Sequence, residues 1–523
     1  MARIARWVAL SSGPSDGGGA WRGQEREIGI VSQITPDYHI LHISDLHRDP
    51  GHPVSNDCLL NSLERDRDRY RDEQPSIPDP DFVVVSGDLV QGIPPDSSTP
   101  IAHLAAQYEQ AEDFLVRLTH SFVRGQRHRV IIVPGNHDVS TYHTRRSLRP
   151  ITVNPGDPAN RQVLDAYVSQ LQMPNSSLRW SWQDLCFYEV ADRDLYLARL
   201  DAFCTFYRRF YQDERTYSLE PSKQYDIFDF PDCGIAFAAF NSCCNNDPLN
   251  TRGAVHPDCV AGAASKLRAP QFAGRLLLAV WHHGTSGGPH QSDYLDADTV
   301  QSLIDSDFSI GLHGHQHKSQ VIDERFRFGG DRKMTVICAG SLSVGPAGLP
   351  AGHSRTYNMI QIDTDNLRGR LHVRRMQNET FDQPIWGRGQ WASTGESFAD
   401  FAVQRPAREA AASRAAMLGQ AERLVRSRKH REAIALLRPL ARAEPLARRL
   451  LLECYIEVDA TRAIADEFYP PVAIGEVAPV ADALWAEKEY EKLRTMLGAA
   501  NVRDSADPGA VEVRRRYLGR LKT

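Results

Sequence analysis

Seven short apolar runs recur between residues 39 and 339, and each ends in polar residues. They are "HILHIS" (39–44), "FVVVS" (82–86), "RVIIV" (129–133), "GIAFAAF" (234–240), "RLLLAVW" (275–281), "FSIGL" (308–312) and "MTVICA" (334–339). Continuous apolar runs of this length suit strands buried on both faces of a sheet. Helix-like segments lie between several of them, at 102–118 and 297–305. This alternation predicts an α/β layered domain. A strand, a turn and another strand are expected over 359–376. Residues 139–233 interrupt the pattern with an aromatic-rich stretch, "DAFCTFYRRFYQDERTY" (201–217). A connection of that length beside a site reads as an insertion or lid.

The pattern changes twice more. Residues 1–37 include "SSGPSDGGGAWRGQ" (11–24) and read as a flexible N-terminal segment, with order beginning near Tyr38. After 385, the Gly-containing 386–404 reads as a linker, and 405–523 turns to Ala, Leu, Arg and Glu at helical spacing. There "AIA" at 433–435 recurs at 463–465, and Lys429 to Glu432 matches Lys488 to Glu491. These offsets suggest a helical-hairpin array of the tetratricopeptide kind, although such repeats usually span about 34 residues. An ordinary helical bundle is the plainer alternative.

Composition adds little to fold and something to function. At 523 residues the chain is long enough for two or more domains. Net charge is −5, so no global basic field advertises nucleic-acid binding. The first 400 residues carry 39 Lys+Arg against 49 Asp+Glu, and the remainder 22 against 17. Nine cysteines with no CxxC pair give no disulfide framework, which favours a reducing compartment. No signal-peptide-like or membrane-spanning apolar stretch is evident, so a cytoplasmic protein without membrane contact is expected.

The ends of the runs carry the chemistry. "SDLH" supplies Asp45 and His47, "SGDLV" Asp88, and "PGNHD" Asn136, His137 and Asp138. "WHH" supplies His282 and His283, and "HGHQH" supplies His313, His315 and His317. Each has a dull explanation alone, such as a turn or helix cap for a single Asp. Together they deliver ligand-type side chains to the C-terminal ends of five strands, the edge where open α/β sheets bind ligands. Oxygen and imidazole donors without thiolates suit Mn, Fe, Zn or similar ions.

In this order, D-x-H, G-D, G-N-H-D, a strand-end His and G-H-x-H resemble the calcineurin-like metallophosphoesterase superfamily, over about 38–345. The resemblance implies a four-layer α/β/β/α sandwich over 38–385, followed by the all-α region. It also implies two divalent metal ions, with Mn²⁺ the first choice and Fe, Zn or Ni the alternatives. One ion would take Asp45, His47 and His317. The other would take Asn136, His315 and one histidine of "WHH", with Asp88 bridging. His282 is preferred to His283 because it comes directly off the strand. The family usually has His-His-Pro where this chain has "HHG", so the local turn is open to question. His137 would sit beside the phosphate and help the leaving oxygen depart, and Asp138 would either orient it or cap a turn. His313, His39 and His42 read as packing residues, and Asn241 and Ser242 as residues that shape the same edge.

The expected reaction is hydrolysis of a nucleotide-like phosphodiester by a hydroxide bridging the two ions. A phosphoprotein phosphatase and a DNA or RNA nuclease are alternatives; the acidic first 400 residues weigh against a nuclease. Tyr207, Arg208, Arg209 and Tyr211 could stack on a nucleotide, but packing within the insertion is the simpler reading. A rival of another class makes the helical array a docking scaffold for a protein partner, with the phosphoesterase a regulated passenger.

Overall fold

The computed structural model describes residues 37–521, except 95–96, 154–156, 172, 174–175, 288–292, 328–330, 379–382, 392–393, 405–406 and 443. The expected flexible segment therefore lies outside the described residues as far as position 36. The chain opens with β1 (Tyr38–Ile43), α1 (Asn56–Asp68), β2 (Phe82–Val85), α2 (Pro100–Val123) and β3 (Val130–Ile132). Next come α3 (Thr141–Ser147), β4 (Leu148–Ile151), α4 (Pro158–Leu171), β5 (Leu178–Ser181), β6 (Cys186–Val190), α5 (Arg193–Leu197) and α6 (Asp201–Phe210). Then follow β7 (Tyr225–Phe230), β8 (Ile235–Phe240), α7 (Pro257–Leu267), β9 (Leu276–Val280), α8 (Ala297–Asp305), β10 (Ile310–His313), β11 (Gln320–Arg325) and β12 (Lys333–Cys338). The sheets end with β13 (Thr356–Asp363), β14 (Arg368–Met376), β15 (Trp386–Arg388) and β16 (Phe398–Ala402).

Two sheets result. One runs β15-β14-β13-β1-β2-β3, with β16 also paired to β14; the other runs β11-β12-β10-β9-β8-β7. β1, β2 and β3 are mutually parallel, as are β8, β9, β10 and β12. The inner faces meet in one core containing Leu41, Val83, Phe237 and Leu278. Each such fully buried side chain contributes about 1.5–3 kcal/mol. α2 packs against β2 on one outer face. On the other, Cys259, Val260, Val300 and Ile304 of α7 and α8 cover Ala236, Ala238 and Phe240. This is the expected α/β/β/α layering.

Two expected boundaries shift. Residues 386–404 are not a linker. β15 pairs with β14, and the buried Trp386 donates its indole Nε1 to Ser62 Oγ of α1 at 2.9 Å, which ties the strand to that helix. The Phe401 ring of β16 covers the bare backbone of Gly369. Nor is 139–233 all insertion. α6 packs on α2, with Phe203, Phe206, Tyr207 and Phe210 in the same continuous hydrophobic core, and β7 is an edge strand of the second sheet. What projects is the small sheet β4-β6-β5 with α3, α4 and α5.

The rest is helical: α9 (Ala407–Arg426), α10 (His430–Leu437), α11 (Pro445–Glu457), α12 (Thr461–Glu467), α13 (Val477–Ala486), α14 (Tyr490–Gly498), α15 (Ala500–Arg503) and α16 (Pro508–Arg520). They share a core of their own. The turns α9–α10, α11–α12 and α13–α14 each contain one left-handed residue, Arg428, Asp459 and Lys488, 31 and 29 residues apart. Helix turns thus recur about every 30 residues, a shorter spacing than the roughly 34 of tetratricopeptide units. No described helix is long and apolar enough to cross a membrane.

Candidate metal centre

The parallel strands put their C-terminal ends on one edge of the sandwich, and the sequence breaks its apolar runs there with donors. The loop after β1 zips onto the loop after β2: the amides of Asp45, Leu46, His47 and Arg48 donate to the carbonyls of Gly87, Asp88, Asp88 and Leu89 at 2.8–3.0 Å. Two motif glycines let the strands close. A Cβ at Gly135 would fall on the Asp88 carboxylate, and one at Gly314 on Ser44 Oγ. The backbone pays locally. Asp45, His47, Asp88, His315 and His317 all sit in the left-handed region, with φ of 54°, 46°, 51°, 72° and 52°. Non-glycine residues adopt it at about 1–2 kcal/mol each.

Their side chains converge in overlapping groups. Asp45, His47 and His317 form one; Asp88, His282 and His315 form another; His47, Asp88 and His137 form a third, with donor atoms within 4.8 Å in each. Asn136 joins the second, its Oδ1 lying 3.0 Å from both His282 Nε2 and His315 Nδ1. Asp88 lies between the halves, 3.3 Å from His282 Nε2 and 3.9 Å from His47 Nε2. Backbone amides aim the carboxylates: His137 N donates to Asp88 Oδ1 at 2.8 Å, and His315 N to Asp45 Oδ2 at 3.1 Å.

Carbonyl oxygens only accept, so they fix the imidazole tautomers. His282 Nδ1 donates to Ser86 O at 2.7 Å, His137 Nδ1 to Gln91 O at 2.7 Å, and His317 Nδ1 to Gly348 O. Each keeps its Nε2 lone pair for something else. Both ring nitrogens of His47 are buried without a hydrogen-bond partner, and the buried Asp45 Oδ1 meets His317 Nε2 at 3.2 Å. Orphaned buried acceptors facing one another are costly unless a cation joins them. The donor set therefore fits two divalent ions.

The protonation equilibria agree. Burial would raise the Asp88 carboxyl, but His282 and His137 hold it well below the usual range. Burial works against Asp45 too, yet His317 brings it to about 2. Burial should depress His282 and His317, but Asp88 and Asp45 respectively lift them to about 9. Burial takes His47 down to about 3. Without cations, protons on His282 and His317 balance the two carboxylates.

The model of calcineurin-like phosphoesterases matches residues 38–319, over half of the chain and every motif above. The chain belongs to this family. Similar solved structures include a dimetal phosphatase from Danio rerio, 11% identical, covering 67% of this chain and 98% of that one at a TM-score of 0.32. Others are Vps29 from Entamoeba histolytica (10%; 69% and 99%; 0.25) and a phosphopantetheinyl hydrolase from Mycobacterium tuberculosis (16%; 59% and 92%; 0.25). No curated protein matches.

In this phosphoesterase the two histidines of "WHH" face different ways. His282 faces Asn136 and Asp88, whereas His283 Nδ1 meets Ser242 Oγ at 2.9 Å and its Nε2 lies 3.3 Å from the Asn246 amide. Ser242 Oγ also accepts the amides of His282 and His283, so it holds the strand end in place. His313 stacks on Trp281, and His42 meets Ser86 Oγ at 3.0 Å; both are packing residues as expected. Of the two roles open to Asp138, the turn role fits its hydrogen bonds. It is buried, it accepts from Gly135 N, Leu89 N and Tyr108 OH at 2.7–3.2 Å, and it makes no hydrogen bond to the His137 ring. It braces the turn, and burial together with Asp88 raises its pKa to about 7. Tyr207 and Tyr211 pack, in line with the simpler reading: both are buried, donating to Asp226 and to Val130 O. Asp293 was not legible in the sequence. It follows no apolar run, yet its Oδ2 lies 3.2 Å from His315 Nε2.

A cleft of about 440 Å³ opens onto the centre, lined by Gln91, Ile93, Pro94, His137, Thr141, Asn246, Thr251 and Asp293 among others. None of its described lining residues is Lys or Arg. A larger groove of about 910 Å³, lined by Asp57, Asn61, Arg117 and His120, holds none of the residues of the centre.

Proposed function

We propose that this phosphoesterase hydrolyses a phosphodiester, with a nucleotide-like diester as the first class to test. Asp45, His47 and His317 would hold one divalent ion, Asn136, His282 and His315 the other, and Asp88 both. When bound, the ions supply charge neutralisation at the phosphoryl oxygens and acidify the water that attacks phosphorus. The chain's own groups do the rest. The Gln91 carbonyl keeps the proton of His137 on Nδ1, so Nε2 is the nitrogen available to take up a proton and pass it to the departing oxygen. The amides of His137 and His315 keep both carboxylates aimed.

The observation that carries the diester is a described cleft lining without Lys or Arg. A monoester dianion brings one more negative charge than a diester, and sites for it commonly add Arg or Lys clamps. None lines the described cleft, which also speaks against a nuclease with a basic track. The test compares bis-p-nitrophenyl phosphate with p-nitrophenyl phosphate after chelator stripping and Mn²⁺ addition. Metal-dependent turnover of the diester supports the reading; turnover of the monoester alone overturns it.

The scaffold reading also keeps an observation of its own. The helical array exposes Ile456, Val472, Ile474 and Tyr490. It would prevail if Asp88→Asn, folded but inactive, kept the protein's full effect in cells.

A further inference from the structure

His315 differs from the other histidines of the centre in what stands behind it. His282, His317 and His137 each lean on a neutral backbone carbonyl through Nδ1 and turn Nε2 inward. His315 is reversed. Its Nδ1 points inward, 3.0 Å from Asn136 Oδ1, and its Nε2 meets a carboxylate, Asp293 Oδ2, at 3.2 Å. The Asp293 segment is fixed: Gly253 N donates to Tyr294 O at 3.2 Å, and Leu295 N to Gly284 O at 2.7 Å.

We infer that Asp293 is a positioning residue, which sets the tautomer of His315 and strengthens it as a donor to the second ion. This rests on the two-ion reading above. An ionised carboxylate can only accept, so the shared proton belongs to Nε2 and the lone pair to Nδ1. A backbone carbonyl would fix the tautomer equally well. A carboxylate does more, because its charge makes the ring a better donor. The two half-sites show why that matters. The half with His47 and His317 owns the Asp45 carboxylate, whereas the half with His282 and His315 has the neutral amide of Asn136 in the corresponding place. Asp293 returns a negative charge to the weaker half through His315, at one remove.

The test uses the full chain as wild type, Asp293→Ala and Asp293→Asn, titrated with Mn²⁺ against a fluorescent chelator. Electron paramagnetic resonance follows the signal of coupled Mn²⁺ pairs. Asp293→Ala is expected to weaken the second binding constant about 10–100-fold, the scale for removing such a partner, and to leave the first within about twofold. Asp293→Asn, which can still accept from Nε2 but carries no charge, falls between wild type and Asp293→Ala. The coupled signal of Asp293→Ala then needs correspondingly more Mn²⁺ to appear. Unchanged constants in Asp293→Ala overturn the assignment. So does an equal loss at both sites, which marks a residue that merely holds its loop. Wild type that takes up fewer than two ions overturns the two-ion reading itself, and this assignment with it.

Discussion

The chain uses left-handed backbone in two regions for opposite reasons. At the corners of the helical array, Arg428, Asp459 and Lys488 turn one helix into the next, and all three side chains are exposed. Nothing there depends on the side chain, and glycine would do as well or better. At the sheet edge, Asp45, His47, Asp88, His315 and His317 adopt the same conformation, but each carries a donor that glycine lacks. The first region tolerates strain for connectivity. The second keeps it for chemistry, held in place by the ladder between the loops after β1 and β2.

The largest effect should come from the residue between the half-sites. Asp88→Asn is expected to lower metal-dependent diester turnover by about 10²–10³-fold, the scale of losing a principal electrostatic partner, while the protein still folds. Lys488→Gly, with the same backbone geometry, should leave turnover unchanged. Steady-state kinetics with circular dichroism checks both.

Metal removal separates the regions by stability. Mn²⁺ at 100 times its dissociation constant should add about 2.7 kcal/mol per site to the unfolding of the sandwich, and nothing to the array. Hydrogen exchange of peptides from the two regions, with and without chelator, reads this directly. Equal protection of both would break the comparison.

Acid should also weaken the sandwich first. Burial holds His42 near 3 and His372 near 4, against 6.5 in an unfolded chain. Below pH 6.5 the unfolded state takes protons that the folded one refuses. The contribution of these two groups is therefore complete above pH 6.5 and falls as the pH drops towards those values. The slope reaches about 1.4 kcal/mol per pH unit for each group. The array contains a single histidine, His430. Urea unfolding at pH 7 and pH 5, followed by region-resolved exchange corrected for intrinsic rates, should show the sandwich losing more.

The smallest effect measures the strain itself. His317→Gly should be more stable than His317→Ala by about 1 kcal/mol in metal-free protein, and Lys488→Gly more stable than Lys488→Ala by a similar amount. Both His317 variants should be inactive, and both Lys488 variants active. Chemical denaturation resolves the difference.

Much of this was legible in the sequence because apolar runs ending in Asp, Asn and His mark both the strands and the donors at their tips. Asp45, His47, Asp88, Asn136, His282, His315 and His317 converge for that reason. Other features were less legible. Asp138 shares the motif of His137, but the tight turn after Gly135 spends its carboxylate on amides. Trp386 and Phe401 sit in a Gly-containing stretch, and only the sheet they cover shows them to be strand residues. The aromatics of α6 belong to the core because α2 lies beneath them. Asp293 comes from a loop, and only the fold brings it to His315.

The most direct test of the two-ion centre is anomalous diffraction from crystals grown with Mn²⁺. Two peaks about 3.5–4 Å apart are expected. One should lie among Asp45, His47 and His317, the other among Asn136, His282 and His315, and both should touch Asp88. A single peak, or peaks away from Asp88, would contradict it.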